Sequence, residues 1–343
     1  MSDKNIKNSG LISIIIPVYN GAKFLDRTLT SVKEQTYPYW EAILVNDGST
    51  DDSLEILKKY AQRDERFKII DKKNEKTAAA RNDALKVAKG EYIAFLDNDD
   101  MLYPQYFELL LQAMQQENVD IVWCKHDTCD EADGLEVRHF YDYTPQTTVC
   151  ANMLRQFAKH LKPKMYILVW DKLYKKEILN GLFFSPKYKA MAEDYNYIIQ
   201  VAARHPKITF LDASLIAYRQ NSNSICHQKI SYDMADSHVS LLEDCMNILH
   251  DYEPREDVAA LQKRIIPIVY RYTCTYPYFR AYKECEAYWA HYLPICKKLV
   301  KDGYFKMNML SPFQRFIYGL YLKKHWKLLR CFLAVYRLVK NKK

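Results

Sequence analysis

Gly90-Glu91-Tyr92-Ile93-Ala94-Phe95-Leu96-Asp97-Asn98-Asp99-Asp100 is an apolar run that ends abruptly in three acids and an amide. A short apolar run behind a glycine reads as a buried strand, here Glu91–Asp97. On an extended chain residues two apart share a face, so Asp97 and Asp99 are aimed together. Two such carboxylates repel unless a cation lies between them or one is protonated. Hard divalent ions, Mn²⁺ or Mg²⁺, take few carboxylates plus phosphate oxygens. The plainer alternative is a set of capping aspartates ahead of a helix that opens at Pro104.

Working outward, the pattern repeats. Ser13–Val18 is almost purely β-branched, and Glu41–Asn46, Phe67–Asp71 and Val119–Cys124 are further strands. Ser53–Ala61, Thr77–Lys89 (stopped by Gly90) and Pro104–Glu117 read as helices between them. Repeated β-α units imply a mostly parallel, Rossmann-like α/β sheet flanked by helices. Such sheets bind ligands beyond the carboxyl ends of their strands. Residues 126–227 are mixed, and from Ile230 onward the pattern is helical. The division expected is 1–227 and 228–343, a helical C-terminal extension.

Composition narrows the field. The chain has 343 residues, 49% of them apolar, which is enough for a sizeable core. There is no GxGxxG for a dinucleotide and no basic-then-apolar N-terminal leader. The nine cysteines form no CxxC and read as reduced, mostly buried residues rather than zinc ligands. The net charge is +8, yet Arg315 to Lys343 alone holds nine basic residues and no acid, leaving the rest near −1. In that tail, from about 313 to 343, Trp326, Leu329, Leu333 and Tyr336 fall on one helical face. A basic amphipathic helix suits an anionic membrane surface; the alternative packs that face on the body. The charge is local and no nucleic-acid-binding motif accompanies it, so nucleic acid is not an expected partner.

Other polar groups follow the strands. Pro17-Val18-Tyr19-Asn20 ends the first and Asn46-Asp47-Gly48-Ser49 the second. There an aromatic can stack on a base, and a carboxylate can bind a base N–H or a ribose hydroxyl. Arg81, in Ala80-Arg81-Asn82, has the fork to reach a phosphate or base. Glu193 and Asp194 open a helix running to Ala203, where acids also simply complement the dipole. Trp170-Asp171-Lys172 offers an aromatic and a cation. Asn221-Ser222-Asn223-Ser224 is a polar turn able to order over a ligand.

The ordered set SIIIPVYN (13–20), EAILVNDGSTDDS (41–53), AAARN (78–82), GEYIAFLDNDD (90–100), WDKLY (170–174) and AEDYNY (192–197) resembles the family 2 inverting glycosyltransferases with the GT-A fold. The likeness spans Ser13 to Ser224. It implies that Pro17 and Tyr19 line a nucleotide pocket, that Asp47 reads the uracil of a UDP-sugar, and that Arg81 lies at the nucleotide. It implies Asp97 at the ribose or a metal-bound water, Asp99 on Mn²⁺ or Mg²⁺, and Asp194 as catalytic base. Trp170, Lys172 and Glu193 are assigned to the acceptor or diphosphate region. Two positions depart from the family pattern: Asn46 replaces the first of a pair of acids, and Glu75-Lys76-Thr77-Ala78 lacks the usual glycine. QxxRW is absent, which favours a non-processive enzyme. The expectation is transfer of a hexose or N-acetylhexosamine from a UDP-sugar to a glycan or lipid-linked acceptor, as in bacterial surface polysaccharide assembly. The place expected is the cytoplasm, peripheral on the inner membrane's cytoplasmic face. The competing reading is a non-catalytic glycan- or membrane-binding protein on a GT-A scaffold. Donor sugar, linkage and oligomeric state are not encoded in these motifs.

Overall fold

The computed structural model describes residues 10–129, 146–150, 152–159, 168–188, 192–220, 231–280 and 282–340. Strands β1 (Ile12–Val18), β2 (Trp40–Asp47), β3 (Phe67–Lys72) and β4 (Tyr92–Phe95) alternate with helices α1 (Ala22–Lys33), α2 (Ser53–Arg63) and α3 (Lys76–Val87). Then come β5 (Met101–Leu102), α4 (Tyr106–Glu117), β6 (Ile121–Cys129), β7 (Thr147–Cys150), α5 (Met153–Lys159), β8 (Lys172–Lys175), α6 (Lys176–Leu179), α7 (Glu193–Ala202) and β9 (Ile208–Arg219). The C-terminal helices are α8 (Tyr232–Ile248), α9 (Arg255–Tyr270), α10 (Tyr276–Arg280), α11 (Cys285–Lys301), α12 (Pro312–Leu322) and α13 (Trp326–Lys340).

The strands form one sheet in the order β3-β2-β1-β4-β8-β6-β9-β5, with β7 beside β9. The quartet β3-β2-β1-β4 is wholly parallel, as its buried aliphatic runs require. β6 and β9 add a fourth and longer parallel pair, so most of the pairing in the sheet is parallel, and the antiparallel part is confined to three short pieces. Short β8 enters antiparallel between β4 and β6, and β5 and β7 both run antiparallel to β9. These three pieces are two to four residues long and lack the apolar run that marks the parallel strands. Helix α1, not read from the sequence, buries Leu25, Thr28, Leu29 and Val32 at helical spacing. Helix α3 ends at Val87, with Ala88 as its cap. Gly90 lies beyond it, where a Cβ would fall 2.5 Å from the Ser13 nitrogen, so it permits close backbone approach instead of capping.

One hydrophobic cluster runs from Ile12 on β1 to Leu333 on α13, so the C-terminal helices share the core of the sheet. The expected division at 227 falls outside the described residues. Leu329 and Leu333 are 0% and 1% exposed. Of the stripe expected to meet a membrane, Leu329 and Leu333 therefore pack on the body and Trp326 is partly buried against it, while Tyr336 is exposed. No disulfide joins two of the described cysteines, six of which are buried; Cys226 lies outside the described residues.

Candidate active site

Four loops meet beyond the carboxyl ends of β1, β2, β3 and β4. The Asn20 amide oxygen accepts the Thr50 N–H at 2.8 Å, and Ser53 Oγ accepts the Gly21 N–H at 2.9 Å. Asp51 accepts the Ala22 N–H at 3.0 Å, supplying an acid to the first turn of α1, which has none of its own. A Cβ on Gly21 would sit 2.1 Å from the Asn98 side-chain nitrogen, so the acidic turn packs directly on the loop after β1. Pro17 lies past the end of the β1–β4 pairing, where its missing N–H removes no bond on that side. Tyr19 is 51% exposed on the same rim.

Asp47 is buried and accepts the Glu75 N–H at 2.8 Å, tying the end of β2 to the loop before α3. Asn46, opposite Asp71 on β3, donates its side-chain amide to that carboxylate at 2.7 Å. An acid at 46 would face Asp71 with like charge, which accounts for the amide there. The missing glycine is replaced by strain: Lys76, at the start of α3, holds φ of 75°.

Arg81 is the hub. Small buried residues Ala78, Ala80 and Ala84 bring α3 close to the sheet, and the arginine side chain is 3% exposed. Its Nη2 donates to Asp97 Oδ1 at 2.9 Å and its Nη1 to Asp194 Oδ1 at 2.5 Å. Glu193 lies 3.9 Å away. Burial opposes the cation, but Asp194, Asp97 and Glu193 together hold its pKa above the ordinary value. Next door, Asn82 exchanges two 2.8 Å bonds with the backbone of Phe184, clamping the segment that leads to α7.

Burial raises the pKa of Asp194; Arg81 and the Val169 N–H pull against it without cancelling the rise. Burial and the neighbouring Asp194 push Glu193 to about 7. Burial and the charge on Asp97 push Asp99 up to about 6. Ala192, the residue before both α7 acids, holds φ of 73°. Beneath the acidic turn, Asp100 accepts the Arg219 N–H at 2.9 Å, and Arg219 Nε donates to the Asp99 carbonyl at 3.0 Å. Asp100 is thus an internal anchor, and Arg219 is its partner at the end of β9.

Trp170 and Lys172 do not join this group. Trp170 is buried and stacked on Tyr218 at 5.5 Å. Lys172 is buried, with its ammonium bonded to Asp171 and, at 2.6 Å, to the Leu168 carbonyl. A cation inside the protein needs those partners, and they leave it turned away from solvent. The segment acts on the site by position: Val169 N–H reaches Asp194. The polar turn 221–224 lies outside the described residues.

Among the described residues no three His, Cys, Asp or Glu side chains gather as a metal cage. Asp99 beside Asp97 therefore suits an ion that completes its shell with diphosphate oxygens and water, the habit of Mg²⁺ and Mn²⁺. A rim aromatic, a buried carboxylate at a strand end, a carboxylate pair and a third acid of raised pKa can together hold a nucleoside diphosphate and deprotonate a hydroxyl.

The glycosyl transferase family 2 model matches residues 13–167. Glycosyltransferase GlyG of Streptococcus pneumoniae serotype 4 is 32% identical over 283 residues, covering 79% of this chain and 90% of that protein. The uncharacterized glycosyltransferase EpsJ of Bacillus subtilis is 33% identical over 223 residues, 63% of this chain and 62% of that protein. Among solved structures, S. aureus TarS in complex with UDP shares the fold at a TM-score of 0.68 and 19% identity, covering 95% of this chain and 91% of that one. TarS in complex with UDP-GlcNAc matches at a TM-score of 0.67.

Proposed function

This chain belongs to glycosyl transferase family 2, and from that premise we propose that it moves a hexose or N-acetylhexosamine from a UDP-sugar to a hydroxyl of a glycan or lipid-linked saccharide, without processivity and with inversion. The observation that carries the reading is the hub at Arg81, which gathers Asp97 and Asp194 from distant parts of the chain. The donor class is supported by the UDP and UDP-GlcNAc complexes of TarS, whose fold this chain shares. A bacterial surface polysaccharide is the product class this reading favours.

Pro17 and Tyr19 line the nucleotide pocket, Asp47 meets the uracil, and Asp97 the ribose or a metal-bound water. Asp99 would hold Mn²⁺ or Mg²⁺, which would neutralise charge on the diphosphate. The acceptor oxygen forms a bond to the anomeric carbon as the bond from that carbon to the diphosphate oxygen breaks, and UDP leaves with the electron pair. Attack from the face opposite the leaving group inverts the centre. The acceptor proton passes to Asp194. Its raised pKa makes it a better proton acceptor than an ordinary aspartate, and Arg81 fixes its orientation. Once Asp194 is neutral, Arg81 still has Asp97 and Glu193 for its charge.

The test is UDP release from UDP-Glc, UDP-Gal, UDP-GlcNAc and UDP-GalNAc, with Mn²⁺ or Mg²⁺ and with a chelator. Slow release from one donor, lost with the chelator, is expected. No release and no metal-dependent UDP binding with any of them would leave a non-catalytic binding protein.

A further inference from the structure

The C-terminal hairpin of α12 and α13 presents an apolar face distinct from the stripe that packs on the core. Val335 and Leu328 are 58% and 52% exposed, and Phe313, Phe316, Phe332 and Tyr336 are exposed with them. On α13, Leu328, Phe332 and Val335 recur at helical spacing, beside the buried Leu329 and Leu333 rather than among them. The patch is continuous across both helices: Phe316 meets Phe332 edge-on at 5.0 Å, and Phe313 stacks on Tyr336 at 5.5 Å. Single exposed apolar residues are ordinary, but a joined aromatic and aliphatic surface marks a contact site.

Charge identifies the occupant. No acid occurs in the sequence after Asp302. Lys323 and Lys324, in the turn between the helices, and Lys327 and Arg337 on α13 are exposed. Arg330 is held by Glu286 at 2.8 Å and is not counted with them. A second copy of the chain would bring one predominantly basic surface against another. An anionic lipid surface meets the cations with phosphates and takes the apolar side chains among its acyl chains. We propose that this hairpin docks the protein on an anionic bilayer through Phe313, Phe316, Leu328, Phe332 and Val335. Leu329 and Leu333 fix it to the body, so the face is formed before it meets lipid. The proposal stands apart from the donor chemistry.

The full chain is floated with vesicles of phosphatidylcholine alone and of phosphatidylcholine mixed with phosphatidylglycerol. Strong partitioning onto the mixed vesicles only is expected. Leu328→Glu/Val335→Glu, changed at the two most open positions, should lower it by about tenfold or more, with Tm kept. Lys324→Glu/Lys327→Glu should do the same without altering the apolar face. Equal partitioning of wild type and both variants overturns the proposal, as does equal binding to neutral and anionic vesicles. So does a wild-type dimer that Val335→Glu splits while vesicles go unbound. Metal-dependent UDP release should be unchanged in every variant, which separates this test from that of the transfer reaction.

Discussion

At Arg81, one guanidinium orders two carboxylates from distant parts of the chain, and the arrangement dictates what single changes do. Asp194→Asn keeps the shape and one acceptor for Arg81 but removes the proton acceptor, so transfer should fall by about 10²–10⁴-fold. UDP binding should stay within a few-fold, because the arginine keeps Asp97 and Glu193. Turnover within tenfold of wild type, with intact metal dependence, would remove Asp194 from the role of base. The pH profile has a fixed sign. Asp194 must be ionised to act and its pKa is raised, so kcat/KM should fall with acidification at a pH above the ordinary aspartate value. An acid limb at or below the ordinary value would contradict this. Backbone strain gives a stability counterpart: Ala192 holds φ of 73°, and Ala192→Gly removes the Cβ clash, a relief only partly offset by the methyl's lost packing against the core. A gain of about 1 kcal/mol in unfolding free energy is expected in a denaturant titration.

Among the elements, the parallel quartet and its connecting loops bear the site, and glycine marks where loops touch. Gly48 holds φ of 69°, and a Cβ there would lie 2.7 Å from the Asn74 nitrogen. Gly48→Ala should push the β2 loop off the loop before α3 and pull Asp47 from the Glu75 N–H. The expected result is a loss of about 1–3 kcal/mol of stability and weaker UDP binding, read by thermal melting and UDP titration. Unchanged UDP affinity would separate Asp47 from the nucleotide. The quartet was legible because β1 and β2 carry long buried aliphatic runs and β4, though only four residues long, is wholly apolar behind Gly90. β5 and β7 were not, since pieces this short with no apolar run form only when a neighbour's edge is offered to them. The three acids and Arg81 stand out in the sequence by position after strands or at a helix start. Their mutual pairing does not, because contact between residues 81 and 194 is set by how α3 and α7 pack. Lys172 looked like a ligand group for the same reason: sequence shows a cation but not the Asp171 carboxylate folded against it.

Across the whole molecule, the C-terminal helices complete the core that the sheet begins. Asp257 on α9 accepts from Asn152 at 2.9 Å and from Arg155 at 3.0 Å. Asp244 on α8 accepts from the Tyr188 hydroxyl at 2.6 Å. His205 stacks on Tyr252 at 4.3 Å, just beyond α7. Leu241, Leu242, Cys245, Leu261, Ile265 and Ile266 are all buried in the shared cluster. Each such aliphatic side chain contributes about 1.5–3 kcal/mol when removed from water, and a domain's net stability is only about 5–15 kcal/mol. Removing residues 231–343 therefore strips away more than the sheet holds in reserve, and it uncovers the apolar side of α7 and α5 as well. The truncated chain should be insoluble, or soluble without a cooperative melt. The intact chain should unfold in one transition, with tryptophan fluorescence and far-UV circular dichroism coinciding. A truncated chain that melts cooperatively and still binds UDP with metal would show that the sheet folds alone and that the helices are an appendage.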